Sequence, residues 1–236
     1  GFAEHLGVRY EFVQTSWKTA FGDLTGQAAA LGEGGHAVRG EITPVRGDIL
    51  ANGVTVLPWR QEVVDYSEPT FPSGIWLMAR ADSSLRPITP TATVDGDIQQ
   101  VRTLLDGREV LALENTCLDP RLYDLAATGA KVLLPAEELK LNEMAPAILN
   151  NEAETTILDV PDALIALEKW PGDIKVIGPV SDTQMMGATF RKDSPQLREA
   201  FNAYLAGIKA DGTYRRLVAR YYPTVFTYFD AFFASR

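Results

Sequence analysis

One arginine and the small polar residues just before it are the part of this chain best suited to chemistry. From Arg46 to Met78 the sequence reads RGDILANGVTVLPWRQEVVDYSEPTFPSGIWLM. Arg60 carries a permanently charged guanidinium with five N–H donors, so this one residue can hold an anion even inside an acidic protein. Asn52-Gly53-Val54-Thr55 forms a small, polar segment whose backbone a ligand could approach closely. Metal chemistry is not expected. Cys117 is the only cysteine, which excludes a disulfide framework and the usual four-ligand thiolate site. His36 falls in a predicted loop and His5 is the only other histidine, so a solvated role is expected for His36.

The elements around these residues follow from pattern and punctuation. Ile49-Leu50-Ala51 is a short apolar run of buried-strand type, and Asn52–Thr55 reads as an exposed loop after it. Pro58-Trp59-Arg60 stops the strand, Gln61–Tyr66 is a short helical or turn segment, and Phe71–Met78 is a long strand. A strand, a loop bearing one Arg, a turn and a second strand are how an open α/β sheet builds a ligand crevice. Upstream, Val8–Val13 alternates apolar and polar and predicts a strand after a helix end at Gly7. Ser16 is placed to cap a helix starting at Trp17. Residues 27–43 are rich in Ala and Gly and predict a partly mobile surface loop or flap.

Downstream, residues 79–98 form a connector with Pro87 and Pro90, then a short helix spans Ile98–Leu105. Strands are predicted at Val110–Leu113, Lys131–Leu134 and Thr155–Leu158, with helices at Asp119–Ala127, Asn142–Asn150 and Asp162–Lys169. This alternation predicts a mostly parallel sheet. Two more strands, Ile174–Val180 and Met185–Phe190, precede a helix opening at Ser194-Pro195 and a second at Tyr214–Tyr222. The aromatic tail, residues 223–236, either packs on the body or leads into something further.

The chain has 236 residues, enough for one large domain or two lobes. Its net charge of −9 and the absence of a basic cluster argue against a nucleic-acid surface. No apolar run approaches the ~20 residues that span a bilayer. No signal peptide is visible at Gly1, so a mature or truncated chain is expected.

The Arg46–Met78 stretch resembles the signature of the family 3 extracytoplasmic solute-binding proteins, the polar-amino-acid receptors of ABC transporters. Asp48, Thr55, Arg60, Ser67 and Pro69 fall on that signature in register. Tyr66 stands where Phe is usual, and Thr70-Phe71 where a tyrosine and an aromatic are usual. The stretch FRKDSPQLREAFNAYLAGIKADGTYRRLVARYY is similar to the family's C-terminal ending, in the correct order. The resemblance implies an α/β, two-lobed periplasmic-binding-protein-like fold (type II), with mostly parallel sheets flanked by helices. The strand that usually comes first is missing from the sequence. Lobe one would be residues 1–73 plus 188–236 and lobe two 74–187, with crossing hinge strands near 72–78 and 184–187.

Carried over residue by residue, the resemblance makes Arg60 the grip on a ligand α-carboxylate, helped by backbone N–H groups at Thr55 and, on lobe two, at Thr116 or Cys117. Asn52 and Gly53 belong to the same ligand-facing set. Trp17 would be a platform over the ligand side chain; its plain alternative is packing at a helix N-terminus. Asp159 matches the acid that accepts from the ligand α-amino group, or else it caps the next helix. The family's small hydroxyl loop is altered here to Glu114-Asn115-Thr116-Cys117, and Glu114 would favour a cationic ligand group. Cys117 could equally be a small buried residue.

Three functions are compatible with these residues. The first is an extracytoplasmic, periplasmic receptor that captures a polar amino acid or similar zwitterion between its lobes for ABC-transporter uptake. It would be non-enzymatic and monomeric, with a transporter permease as partner and no cofactor. The second is a ligand-sensing regulatory domain of a larger receptor or lytic transglycosylase, whose junction region the stretch ADGTYRRLVARYYPTVFTYFDAF resembles. The third is an enzyme similar to cyclohexadienyl dehydratases, with Asp162 as the acid three residues after Asp159.

Overall fold

The computed structural model describes residues 1–135 and 139–234. The chain falls into two compact units, one made of Gly1–Pro72 and Met185–Arg236, the other of Ser73–Gln184. In chain order the first segment holds α1 (Phe2–His5), α2 (Ala20–Thr25), β1 (Gln27–Leu31), β2 (Ala37–Ile42), β3 (Leu50–Thr55), α3 (Pro58–Gln61), β4 (Asp65–Tyr66) and β5 (Phe71–Ser73). The second unit follows with β6 (Ile75–Arg80), α4 (Val94–Thr103), β7 (Glu109–Leu111), β8 (Lys131–Leu133), α5 (Met144–Leu149), β9 (Thr155–Asp159), α6 (Val160–Lys169) and β10 (Ile174–Pro179). The chain returns through β11 (Gln184–Phe190) to α7 (Pro195–Ala210), α8 (Thr213–Tyr221), α9 (Val225–Tyr228) and α10 (Asp230–Ala234).

The first unit is organised on β11, which pairs antiparallel with β3 on one side and β4 on the other, while β5 also pairs with it. Thr55 faces Met186 and Leu50 faces Thr189, with the register broken between them. Gly53 sits in that irregularity at φ +77°, the extra-residue geometry of a β-bulge. A Cβ on Gly53 would lie 3.3 Å from the Met186 sulfur. Gly53→Ala is therefore expected to destabilise the protein by about 1 kcal/mol through the left-handed backbone alone. Urea unfolding measures this, and an unchanged midpoint would show that the bulge does not require that conformation. Farther along, the tail packs on this unit: Val225 and Phe233 are buried. Phe233 lies 4.6 Å from Phe226 and 6.2 Å from Phe71, ring centre to ring centre.

The second unit is a five-stranded sheet in the order β10-β6-β9-β7-β8. Only β7 with β8 and β7 with β9 are parallel; β6 runs antiparallel to both β9 and β10. β9 lies at the centre and every residue in it is buried. Its threonines fit there because their hydroxyls donate to backbone carbonyls of β7, Thr155 to Glu109 at 2.7 Å and Thr156 to Leu111 at 3.1 Å. Ile75, Leu77, Met78, Val101, Val110 and Ile157 form the fully buried centre of the core.

Several expectations need correction. The second unit's sheet is mixed, and in the first unit β1 with β2 and β11 with β3 and β4 pair antiparallel, rather than the mostly parallel sheets expected. Val8–Val13 is not a strand. No strand pairs with it among the described residues, so Val8, Tyr10 and Phe12 stay exposed despite their alternation. The next helix begins at Ala20, not Trp17; Ser16 forms a turn instead, its carbonyl accepting from the Thr19 and Ala20 N–H groups. Residues 27–42 form a hairpin of β1 and β2, with a register shift between Gln27 and Ala29, rather than an irregular loop. Repeated alanines hid the period-2 signal, while Gly34 and Gly35 turn the chain at φ +73° and +82°. His36 in that turn meets Glu62 Oε1 at 2.8 Å rather than only solvent.

Further corrections concern boundaries. Asn52 and Gly53 lie within β3, not in an exposed loop after it. The long strand expected over 71–78 divides at Gly74 into β5 and β6. The connector helix is Val94–Thr103, started early by Thr93, whose side chain accepts from the Gly96 N–H. Residues 120–128 form two 3-10 turns, split where Asp124 takes φ +48°.

Candidate functional site

In the first unit, β3 ends at Thr55 and the chain runs extended through Leu57 into α3, with Pro58 in its first turn. That turn buries Arg60 completely. Its Nη1 donates to the Thr55 carbonyl at 3.1 Å, and the Tyr66 hydroxyl donates to the same oxygen at 2.9 Å. Aromatic faces surround the guanidinium, with Trp17, Trp59 and Phe21 centred 5.1, 5.3 and 5.6 Å away. Trp17, in the turn before α2, thus joins Arg60 and packs near a helix start as well. Such contacts soften the cost of burying a cation, by about 2 kcal/mol each where they are desolvated.

They do not complete it. Arg60 Nε and Nη2 are buried with no hydrogen-bond partner, as are the Thr55 hydroxyl and Trp59 Nε1. No carboxylate pairs with Arg60 among the described residues. An unpaired buried charge carries a penalty of several kcal/mol, and the two unpartnered guanidinium nitrogens are donors that an anion would satisfy. Burial pushes the Tyr66 phenol up to about 12, with the Arg60 charge opposing the rise, so Tyr66 stays a neutral donor. No hydrogen bond links Asn52 or Gly53 to this group among the described residues. Phe21, Trp59 and Tyr66 are site residues that the sequence reading missed; their one signal was aromatic density on both sides of a single Arg.

In the second unit, β9 delivers Asp159 to its end, where it caps α6: its Oδ1 accepts from the Asp162 N–H at 3.2 Å. Its other oxygen, Oδ2, accepts from the Cys117 thiol at 3.6 Å. Burial, then the neighbouring Asp162 charge, raises the Asp159 carboxyl to about 7. Burial raises Asp162 as well. The loop bearing Cys117 is held internally. Asn115, at φ +61°, donates its N–H to Asp119 Oδ2 at 2.8 Å. Thr116 Oγ1 donates to the Leu113 carbonyl at 2.8 Å and accepts from the Leu118 N–H at 2.9 Å. The Thr116 hydroxyl is therefore engaged in its own loop and not open to a ligand. Burial works against the Asp119 charge, but hydrogen bonds from Arg121 and Asn115 outweigh it and hold that carboxyl below its ordinary range. Arg60, Thr55 and Trp17 are thus brought together in one unit, and Asp159, Thr116 and Cys117 in the other. Glu114 is exposed beside them.

This architecture is the two-lobed α/β fold of periplasmic-binding-protein type. The chain belongs to the bacterial extracellular solute-binding proteins, family 3, whose model matches residues 40–224. It is 28% identical over 229 residues to a membrane-bound lytic murein transglycosylase F of Desulfosudis oleivorans. That match covers 96% of this chain but 43% of the relative, so the chain spans less than half of that relative's length. Among solved structures, a mutant of ArgBP from T. maritima superimposes with a TM-score of 0.71 at 23% identity, covering 94% of this chain and 81% of that one. An ancestral arginine-binding protein bound to arginine gives 0.69 at 20% identity, covering 94% and 84%. An ancestral amino acid-binding protein, a precursor of cyclohexadienyl dehydratase, gives 0.67 at 22%, covering 94% and 80%. At these identities the structures speak for the fold alone.

Proposed function

We propose that this chain is an extracytoplasmic receptor that captures a polar amino acid or similar zwitterion and, acting as a monomer, hands it to the permease of an ABC transporter. The observation that carries the reading is Arg60, buried among aromatic rings with Nε and Nη2 unpaired. A ligand carboxylate would take both nitrogens as a bidentate fork, worth about 1.5–3 kcal/mol net, and the Thr55 hydroxyl would add a further donor. Asp159 would accept from the ligand ammonium, and the backbone at Thr116 and Cys117 would flank it. Trp17 would face the ligand side chain. The binding event would be capture without turnover, with Asp162 serving the α6 cap rather than a reaction.

The match to a longer transglycosylase favours a second reading, a ligand-sensing regulatory domain in a larger protein. It changes the destination of the signal, not the ligand chemistry. Neighbouring permease and ATPase genes would support the transport role, and a catalytic domain on the same chain would support the regulatory one.

Thermal unfolding against the twenty amino acids and common polyamines tests capture directly. A ligand at a hundredfold excess over its dissociation constant adds ~2.7 kcal/mol to stability. For a chain of this size that is a midpoint rise of roughly 5–10 °C with one or two amino acids. A flat response to the whole panel would sink the proposal.

A further inference from the structure

The buried polar atoms that lack partners fall into two chemical kinds. The first unit holds the unpaired N–H donors, Arg60 Nε and Nη2 and Trp59 Nε1, along with the hydroxyls of Thr43 and Thr55. In the second unit the unpaired atom among the described residues is an acceptor, Oε1 of Gln184. Donors suit the anionic end of a ligand. A lone acceptor calls for an N–H.

The orientation of the Gln184 amide follows from its neighbours. Tyr123 has one hydroxyl proton, which goes to the Cys117 carbonyl at 2.6 Å. Towards Gln184 the phenol oxygen can then only accept, and it does so from Nε2 at 3.4 Å. This fixes Nε2 towards Tyr123 and leaves Oε1 as the free end. The chain of contacts continues from Cys117, whose thiol donates to Asp159 Oδ2 at 3.6 Å. Gln184, Tyr123, Cys117 and Asp159 therefore form one polar row, with an amide acceptor at one end and a carboxyl at the other.

We propose that Gln184 is a ligand-binding residue, its Oε1 accepting from an N–H of the ligand. The inference rests on the solute-binding reading and assigns a second acceptor to it. Gln184 also opens β11, the strand that carries the chain back to the first unit.

Isothermal titration with L-arginine and L-glutamine, on the unaltered chain and on Gln184→Met and Gln184→Glu, tests the assignment. The methionine variant keeps side-chain length but loses the acceptor. It is expected to weaken binding roughly tenfold or more, while the unliganded unfolding midpoint stays level or rises because no orphaned acceptor remains. The glutamate variant, still an acceptor, is expected to restore L-arginine affinity. Unchanged affinity in Gln184→Met, beside clear binding by the unaltered chain, overturns the role of Gln184 and leaves the receptor reading standing. The same holds if the midpoint falls without ligand and affinity is spared, which marks a structural residue. If the unaltered chain binds neither probe, the same comparison is made with the amino acid that raises the unfolding midpoint, and the absence of any such ligand in the full panel overturns both.

Discussion

Arg60→Met is expected to abolish ligand binding while leaving the empty protein at least as stable as before. The two effects have one cause. Arg60 is fully buried, without a carboxylate partner among the described residues, and two of its nitrogens make no hydrogen bond. Methionine fills much of the same volume among Trp17, Phe21 and Trp59 and brings no charge to desolvate. What is lost is the Nη1 bond to the Thr55 carbonyl, and that oxygen still accepts from Tyr66. The net change in the unliganded protein is expected to be a gain of about 1 kcal/mol, read as a midpoint rise of roughly 2–4 °C. With ligand the balance inverts, because a carboxylate entering this site would meet no cation. Truncating one partner of a buried charged pair costs about 2–5 kcal/mol, so affinity should fall at least ~30-fold. Arg60→Lys keeps the charge but not the fork and should fall between the two. Titration calorimetry and thermal unfolding on the same samples separate the terms. Affinity within a few-fold of the unaltered chain would remove Arg60 from the site, and a large drop in unliganded stability would make it a packing residue.

How far the sequence revealed this arrangement differs from residue to residue. Arg60 was legible because its spacing from Thr55, Ser67 and Pro69 matched a family signature, and the family and two-lobed fold inferred from it stand. Its complete burial was not legible. A single turn after Pro58 reads as a surface feature until Trp17 and Phe21, some forty residues earlier in the chain by the numbering, are seen to close over it. The helical cap at Asp159 was readable locally, since Asp before Val-Pro is a common helix start. Its bond to Cys117 was not, being a contact between the end of one strand and the loop after another. Failures in the first unit share a different cause. Alternation at Val8–Val13 signals strand propensity, but a strand exists only where another edge accepts its hydrogen bonds, and local pattern does not report that. Conversely, β1 and β2 formed from alanines and glycines with little propensity, because Gly34 and Gly35 allow the turn and Gly40 lets the strands pack close to Ala28.

Asp159 predicts the second large effect, a dependence of stability on pH that disappears in Asp159→Asn. The folded carboxyl is raised from an ordinary value near 3.8 to about 7, by burial first and the Asp162 charge second. A group whose pKa is raised by folding favours the folded state when protonated. Its contribution is therefore full below about pH 4, declines as the unfolded chain ionises, and is gone once pH has risen through about 7. The groups facing it are Asp162, on the helix it caps, and the Cys117 thiol, on the neighbouring loop. Asp162 is shifted in the same direction and adds to the decline. Urea unfolding at intervals from pH 4 to 8 should show the unaltered chain losing on the order of 1–4 kcal/mol relative to Asp159→Asn across that window. Taking the difference between the two proteins cancels the titrations that Asp159 does not touch. Ligand reverses the preference: an ammonium beside Asp159 favours the ionised carboxyl, so affinity should climb with pH towards 7 and level off above it, and the asparagine variant should show weak binding with no such climb. A difference curve that is flat from pH 4 to 8 would mean that Asp159 is ionised throughout, and the capture of a cationic head by this residue would then carry no pH signature.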